Sequence, residues 1–206
     1  LIYLDHNATA PLRPCAHKAL EDWLGGVPWG NASSLHANGR KAREAVEEAR
    51  EAVARLMSAK PAQIVFTSGA TESDNIAVHA WAQADATRPV LASTRLEHPA
   101  VLEPLRFLEK GHPVTWLPAG RDGSLDLDEL ERLPAKQTGL LCCMAANNET
   151  GRILPWQEVA TWGRMRSIPV HVDLTQFVGK GSVNLEATDA ASAAFSGHKL
   201  GALSGC

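Results

Sequence analysis

Cysteine is scarce in this chain. Cys15, Cys142, Cys143 and Cys206 are its four copies, and their spacing fits no zinc template. They read instead as small hydrophobes buried in a reducing compartment, so a cytoplasmic location is expected. Excess charge of one sign is lacking too. A net charge of −3 leaves no electrostatic footprint for nucleic acid or for a membrane surface. No apolar run approaches bilayer length. The opening Leu1-Ile-Tyr-Leu-Asp5 has neither the basic nor the apolar region of a signal peptide. Internal repeats, low-complexity tracts and long linkers are absent as well. What remains, 45% hydrophobic and 21% charged residues over 206 positions, is an ordinary globular composition of one large domain or one and a half.

Two hydrophobic periods alternate along the chain. Ala42, Ala45, Val46, Ala49, Val53, Leu56 and Met57 recur at three- and four-residue steps, which predicts a helix over Gly39–Ala59. Glu51 lies four residues before Arg55 on its charged face. Further helices are expected over Thr71–Ala84, Pro99–Lys110 and Trp156–Arg166, with a short one capped by Asp126 and ending near Leu133. Strands are expected at Gln63–Thr67, Val90–Thr94, Val114–Leu117, Gly139–Ala145, Val170–Asp173 and Ala190–Phe195. Strands alternating with helices predict an α/β fold, a mostly parallel doubly wound sheet with helices on both faces. Its strands are apolar without polar alternation, as burial on both faces requires. Residues 1–12, rich in turn and polar types, read as an arm, and 13–206 as the large domain.

Ligands of such sheets sit beyond the carboxyl ends of the strands. The expected strand ends carry Thr67-Ser-Gly-Ala-Thr-Glu72, Glu97-His98, Asn147-Asn-Glu149, Asp173-Leu-Thr-Gln176 and Ser196-Gly-His-Lys199. Reactive residue types therefore gather where the rule requires. Lys199 follows a small apolar run. A lysine there either reaches water or is partly desolvated, which lowers its pKa and suits it to Schiff-base chemistry. Ser68-Gly-Ala-Thr71 opens a helix after a strand, as an ordinary cap or as a cradle for phosphate. Asp173 ends an apolar strand and needs a partner: a base, a helix N-terminus, a metal shared with His171, or a protonated pyridine nitrogen. His98, before Pro99, fits a cap, a general acid or base, or a ring stacked on a planar cofactor. Asn148 and Gln176 are neutral amides, better matched to a phenolic oxygen than to a metal.

A phosphate cradle, a flat ring, a carboxylate, two amides and a lysine are the set that pyridoxal 5'-phosphate uses. The same stretches resemble the cysteine desulfurases of the class V aminotransferase group, whose architecture is fold type I. The matching runs are Tyr3–Thr9, Asn31–His36, Phe66–Asn75, Glu97–Leu102, Asn147–Gly151, His171–Asp173 with Gln176, and Ser196–Lys199, in family order from end to end. The resemblance implies that Lys199 holds the cofactor as a Schiff base and that His98 stacks on the ring and shuttles protons. It implies that Asp173 pairs with the ring nitrogen, with Gln176 and Asn148 at the ring oxygen or substrate. Ala70, Thr71, Ser196 and His198 would hold the phosphate. It also implies a homodimer that converts L-cysteine to L-alanine and passes sulfur as a persulfide to an acceptor protein, with iron–sulfur cluster assembly as one destination. No metal is implied.

The sequence departs from that pattern in two places. Asp173-Leu-Thr-Gln176 stands where relatives read Asp-Ala-Ala-Gln. The resemblance also spans only the N-terminal two-thirds of the family's length. The C-terminal small domain, the mobile loop with the persulfide cysteine and the arginine for the substrate carboxylate have no counterpart here, and none of the four cysteines matches that nucleophile. The isolated chain is therefore expected to be inactive, with an open sheet edge. Selenocysteine lyase or another class V enzyme, a non-catalytic scaffold and, more remotely, a metal-dependent hydrolase are the competing readings.

Overall fold

A computed structural model describes residues 2–26 and 30–206. Leu1 of the expected arm and residues 27–29 of the expected large domain lie outside the described residues. The helices are α1 (Pro14–Gly26), α2 (Ala37–Met57), α3 (Ala70–Ala84), α4 (Pro99–Leu108) and α5 (Trp156–Met165). The strands are β1 (Val90–Thr94), β2 (Val114–Leu117), β3 (Thr138–Met144), β4 (Val170–Asp173) and β5 (Ser192–Ala194). They form one sheet in the order β2-β1-β3-β4-β5, and every pair is parallel. Among the described residues, no helix is long and apolar enough to cross a membrane.

The expected α/β sheet is present, covered on both faces. Leu140 and Cys142 of β3, with Leu91 of β1, pack against Val78 and Ala82 of α3 and Val101 and Leu105 of α4. Their neighbours Leu141 and Cys143 face the other way, toward Trp156, Val159 and Ala160 of α5 and Met57 of α2. The adjacent cysteines thus point to opposite faces, as the period of a strand demands. Cys15 and Cys206 are exposed, so the burial expected of all four cysteines holds for two. Truncating Leu140 or Leu141, at most 1% exposed, to alanine costs about 2–5 kcal/mol.

Local chemistry sets how the helices dock. Pro104 interrupts α4, because it cannot donate to the carbonyl of Ala100 four residues earlier. Asn75 of α3 donates to that orphaned oxygen at 3.2 Å and stitches the two helices together. On the opposite face, α5 approaches β4 closely at Gly163. A Cβ there would lie 2.4 Å from Val170, so any side chain would push the helix off the sheet.

Two expectations fail. Gln63–Thr67 is not a strand: Pro61–Gln63 is a 3-10 turn, Ile64 is extended, and residues 64–67 join no ladder among the described strands. Val65 is 76% exposed. A strand needs a ladder partner, and among the described strands β5, the edge of the sheet, pairs with β4 alone. A cleft of about 480 Å³ separates Gln63–Val65 from Ala191–Ala193 of that edge. Conversely, α1 forms where no helix is expected. It buries none of its residues, so apolar periodicity cannot reveal it. Its signals are local: Pro14 at the first position and pairs His17–Glu21 and Lys18–Asp22 at four-residue spacing.

Candidate active site

A cavity of about 690 Å³ opens at the carboxyl ends of the strands. Met144 ends β3 and Asp173 ends β4, and both line it. The residues expected to bind the cofactor also line it: Ala70 and Thr71 from the start of α3, His98 from the start of α4, Asn148 after β3, Asp173 at the end of β4 and Gln176 after it, and Ser196, His198 and Lys199 after β5.

At one end lies the N-terminus of α3. Its cap residue is Gly69, at φ +144° and with no side-chain cap bond; only glycine adopts that backbone readily. The first-turn amides have no acceptor within the helix. Glu72 folds back so that Ser68 N donates to Oε2 at 2.6 Å, and that bond lowers its pKa. Opposite, Ser196 Oγ donates to the main-chain oxygen of Cys206 at 3.1 Å. His198 Nδ1 sits 3.2 Å from Thr9 Oγ1, and burial, then the charge of Lys199, pushes its pKa down.

Lys199 lies in a 3-10 turn over Gly197–Leu200 and is half-buried. Its Nζ donates to the main-chain oxygens of Asn7 at 2.5 Å and Ala8 at 2.8 Å. Burial lowers its pKa most, with Lys180 adding to the effect and Asp173 and Asp5 opposing it. Asp173 uses Oδ1 to accept from Thr175 N at 2.8 Å. His98 caps α4: Nδ1 accepts from Ala100 N at 3.1 Å, which leaves the proton of the neutral ring on Nε2.

The amides divide. Asn148 lies half-buried on the cavity wall because Asn147 anchors its loop, accepting from Glu149 N and Thr150 N at 3.0 and 2.9 Å and donating to Leu96 O at 2.9 Å. Gln176 is fully engaged within the protein. Its Nε2 donates to Asn7 O at 2.9 Å, and its Oε1 accepts from Lys180 at 2.8 Å.

His171 does not form the metal pair with Asp173 that was left open. Both its ring nitrogens are taken, by Ser192 Oγ at 2.9 Å and Asp74 Oδ1 at 3.0 Å.

Residue-by-residue reading of the sequence passes over Asn7. Besides serving Lys199 and Gln176, it donates from Nδ2 to Asn148 O at 3.2 Å and accepts on Oδ1 from Lys180 at 2.8 Å. Its signal was its place in the Tyr3–Thr9 run. Glu97 was missed as a buried acid. Its Oε1 accepts from Met144 N at 2.8 Å, its Oε2 has no partner among the described residues, and burial pushes its pKa up to about 8.

Residues 2–206 match the family model described as "Aminotransferase class-V". The chain is 42% identical over 201 residues to "Cysteine desulfurase IscS" of Dictyoglomus turgidum, covering 97% of this chain and 51% of that protein. It superposes on the solved structure of a "NIFS-LIKE PROTEIN" with TM-score 0.94 and 35% identity, covering 99% of this chain and 57% of that one. On "SspA in complex with cysteine" the values are 0.92 and 29%, with 100% and 59% covered. The chain spans about half the length of the curated relatives it matches, less than the two-thirds expected from the sequence. With sequence and fold in agreement over its whole length, the chain belongs to the class-V aminotransferase family.

Proposed function

We propose that this chain is the cofactor-binding part of a pyridoxal 5'-phosphate-dependent cysteine desulfurase, which converts L-cysteine to L-alanine and hands the sulfur, as a persulfide, to an acceptor protein. The observation that carries it is the convergence of Lys199, Asp173, His98 and an uncapped helix N-terminus on one cavity. The cavity suits a compact, charged ligand anchored by a few fixed polar groups.

The donor set fits the cofactor. Ala70 and Thr71 offer first-turn amides and a hydroxyl, with Ser196 and His198 across the cavity, which together suit a phosphate. Asp173 suits a protonated ring nitrogen. Lys199 is the amine whose surroundings lower its pKa, so a larger share is neutral and nucleophilic at a given pH. His98, with its proton on Nε2, can stack on a ring or move a proton. Asn148 is positioned to address a ring oxygen or substrate. Gln176 instead ties Asn7 to Lys180 and would have to exchange those bonds to join it. When bound, pyridoxal 5'-phosphate supplies an electron sink for charge developing next to the substrate amine.

The relatives named cysteine desulfurases support the reaction, and a structural neighbour described as "in complex with cysteine" supports the substrate. A cytoplasmic homodimer completes the proposal. The test is reconstitution of the full-length protein with pyridoxal 5'-phosphate, borohydride reduction and peptide mapping, followed by assay of alanine from L-cysteine and from L-selenocysteine. A visible absorbance band and a single label on Lys199 are expected. A label elsewhere, or no band with excess cofactor, overturns the site. A clear preference for selenocysteine overturns the substrate.

A further inference from the structure

Beneath the cavity floor lies a hydrogen-bond chain whose first donor is fixed. The indole N–H of Trp81 can only donate, and it reaches Ser192 Oγ at 3.1 Å. The serine oxygen therefore accepts there, and its own hydrogen is available to His171 Nδ1, 2.9 Å away. With Nδ1 accepting, the ring proton sits on Nε2 and is donated to Asp74 Oδ1 at 3.0 Å. In that orientation each link runs from donor to acceptor toward Asp74. The chain is dry at its inner end: Asp74 is 0% and His171 1% exposed.

The chain leaves Asp74 Oδ2 buried and without a partner among the described residues, while the residue lines the same cavity as Asp173. A buried anionic oxygen without a partner is costly; a protonated one is far less so. We propose that Asp74 is a positioning residue, a neutral carboxylic acid with its single O–H on Oδ2, set beside Asp173 and held in that state by Trp81, Ser192 and His171.

Electrostatics agree with the geometry. Burial, and then the charge of Asp173, push Asp74 up to about 9. Burial pushes His171 down to about 4, against the opposing pull of Asp173 and of a backbone hydrogen bond to Ser192. The 3.0 Å contact has the length of an ion pair, yet each partner sits where its charged form is disfavoured, so it is a neutral hydrogen bond. The other titratable groups around Asp74 are Glu97, Cys142, and the cavity-lining Asp5, Glu72, His98, Glu149, His198 and Lys199. Of the buried ones, Glu97 and Cys142 are themselves shifted toward their neutral forms. A second anion next to Asp173 would raise the proton affinity of both carboxyls. A neutral carboxyl removes that repulsion, so Asp173 stays a carboxylate more readily and a cation paired with it keeps its proton. That role toward Asp173 rests on the cofactor reading; the protonation state of Asp74 does not.

Asparagine mimics the neutral acid, accepting from His171 on Oδ1 and donating from Nδ2; alanine does neither. In the full-length protein with ¹³C-labelled aspartate, the Asp74 carboxyl resonance, assigned by its loss in D74N, should be that of an acid at neutral pH. An ionised carboxylate there overturns the proposal, whether or not cofactor binds and whether or not D74A folds. With pyridoxal 5'-phosphate, D74N should hold the cofactor within about threefold of wild type and D74A about tenfold or more weakly. Equal losses in the two variants, each with a cooperative thermal melt, overturn it as well. If wild type takes up no cofactor, the reading of the cavity falls, and the carboxyl resonance still decides the state of Asp74.

Discussion

Lys199 donates to the main-chain oxygen of Asn7 at 2.5 Å, across 192 positions of sequence. The bond ties the turn after β5 to the loop that carries Asn7, and the Asn7 side chain binds Lys180 in turn. Two lysines therefore meet around one asparagine. Their proximity matters for chemistry, because a neighbouring ammonium disfavours the charged form of Lys199.

Removing that neighbour should raise the pKa of Lys199. In K180A the neutral amine appears only at higher pH, so attachment of pyridoxal 5'-phosphate to Lys199 slows near neutrality and its pH–rate profile moves to the alkaline side. Stopped-flow absorbance over a pH series measures this. A profile that superimposes on wild type, or moves to lower pH, removes Lys180 from the tuning of Lys199.

Asp173 should matter more to turnover than to cofactor retention. D173N keeps the shape and the acceptor for Thr175 N but removes the charge that favours a protonated ring. A turnover loss of about a hundredfold, with a much smaller loss of cofactor affinity, matches one charge-assisted hydrogen bond. Steady-state alanine production and a cofactor titration on the full-length protein separate the two. Unchanged turnover would take Asp173 out of the chemistry.

Glu97 makes stability depend on pH in a defined direction. Its folded pKa, about 8, lies above its ordinary 4.5, so between those values the native state holds a proton that the unfolded chain has lost. Stability from this group is whole below about 4.5 and is lost as pH rises through about 8. Glutamine at this position still accepts from Met144 N and titrates no more. In that interval the fall of unfolding free energy with pH should be shallower in E97Q by about 1.4 kcal/mol per pH unit. Denaturant titrations at several pH values test it; parallel slopes would mean that Glu97 is ionised in the fold.

What the sequence reveals of the fold follows from where the forces lie. Leu140 to Cys143 alternate between two apolar faces, and such burial leaves a legible run. Val65 and Phe66 carry the same strand-like composition, but pairing is a property of the neighbouring backbone, and the described residues bring none within reach. The candidate site is legible because parallel strands bring their ends together, so Asp173 and Lys199 meet although neither predicts the other's distance. The Asp74–His171 bond was hidden, since nothing in a helix sequence tells which residue of α3 looks down on β4. Asn7 was hidden for a related reason: its main-chain oxygen serves Lys199 and Gln176, and a carbonyl has no signature in sequence.

The 206-residue polypeptide by itself should not release sulfur from L-cysteine catalytically. A persulfide needs an accessible thiolate. Cys142 and Cys143 are buried in β3, and burial pushes both thiols well up. Cys15 is exposed on α1 and does not line the cavity. Cys206 is exposed and does not line the cavity, and its main-chain oxygen is held by Gly197 N at 2.8 Å and Ser196 Oγ at 3.1 Å, which denies it the reach of a mobile loop. Among the described residues the sheet is also open at β5, whose outer edge faces the cleft; such an edge invites pairing with another chain. Alanine formation should therefore be absent with the isolated chain and appear when the C-terminal half of a related cysteine desulfurase is added in trans. Native-state thiol labelling should modify Cys15 and Cys206 and spare the two in β3. Sustained turnover by the isolated chain would mean that one of these four cysteines is the nucleophile, and C206S, which removes the thiol nearest Lys199 in the sequence, would be the first variant to abolish it.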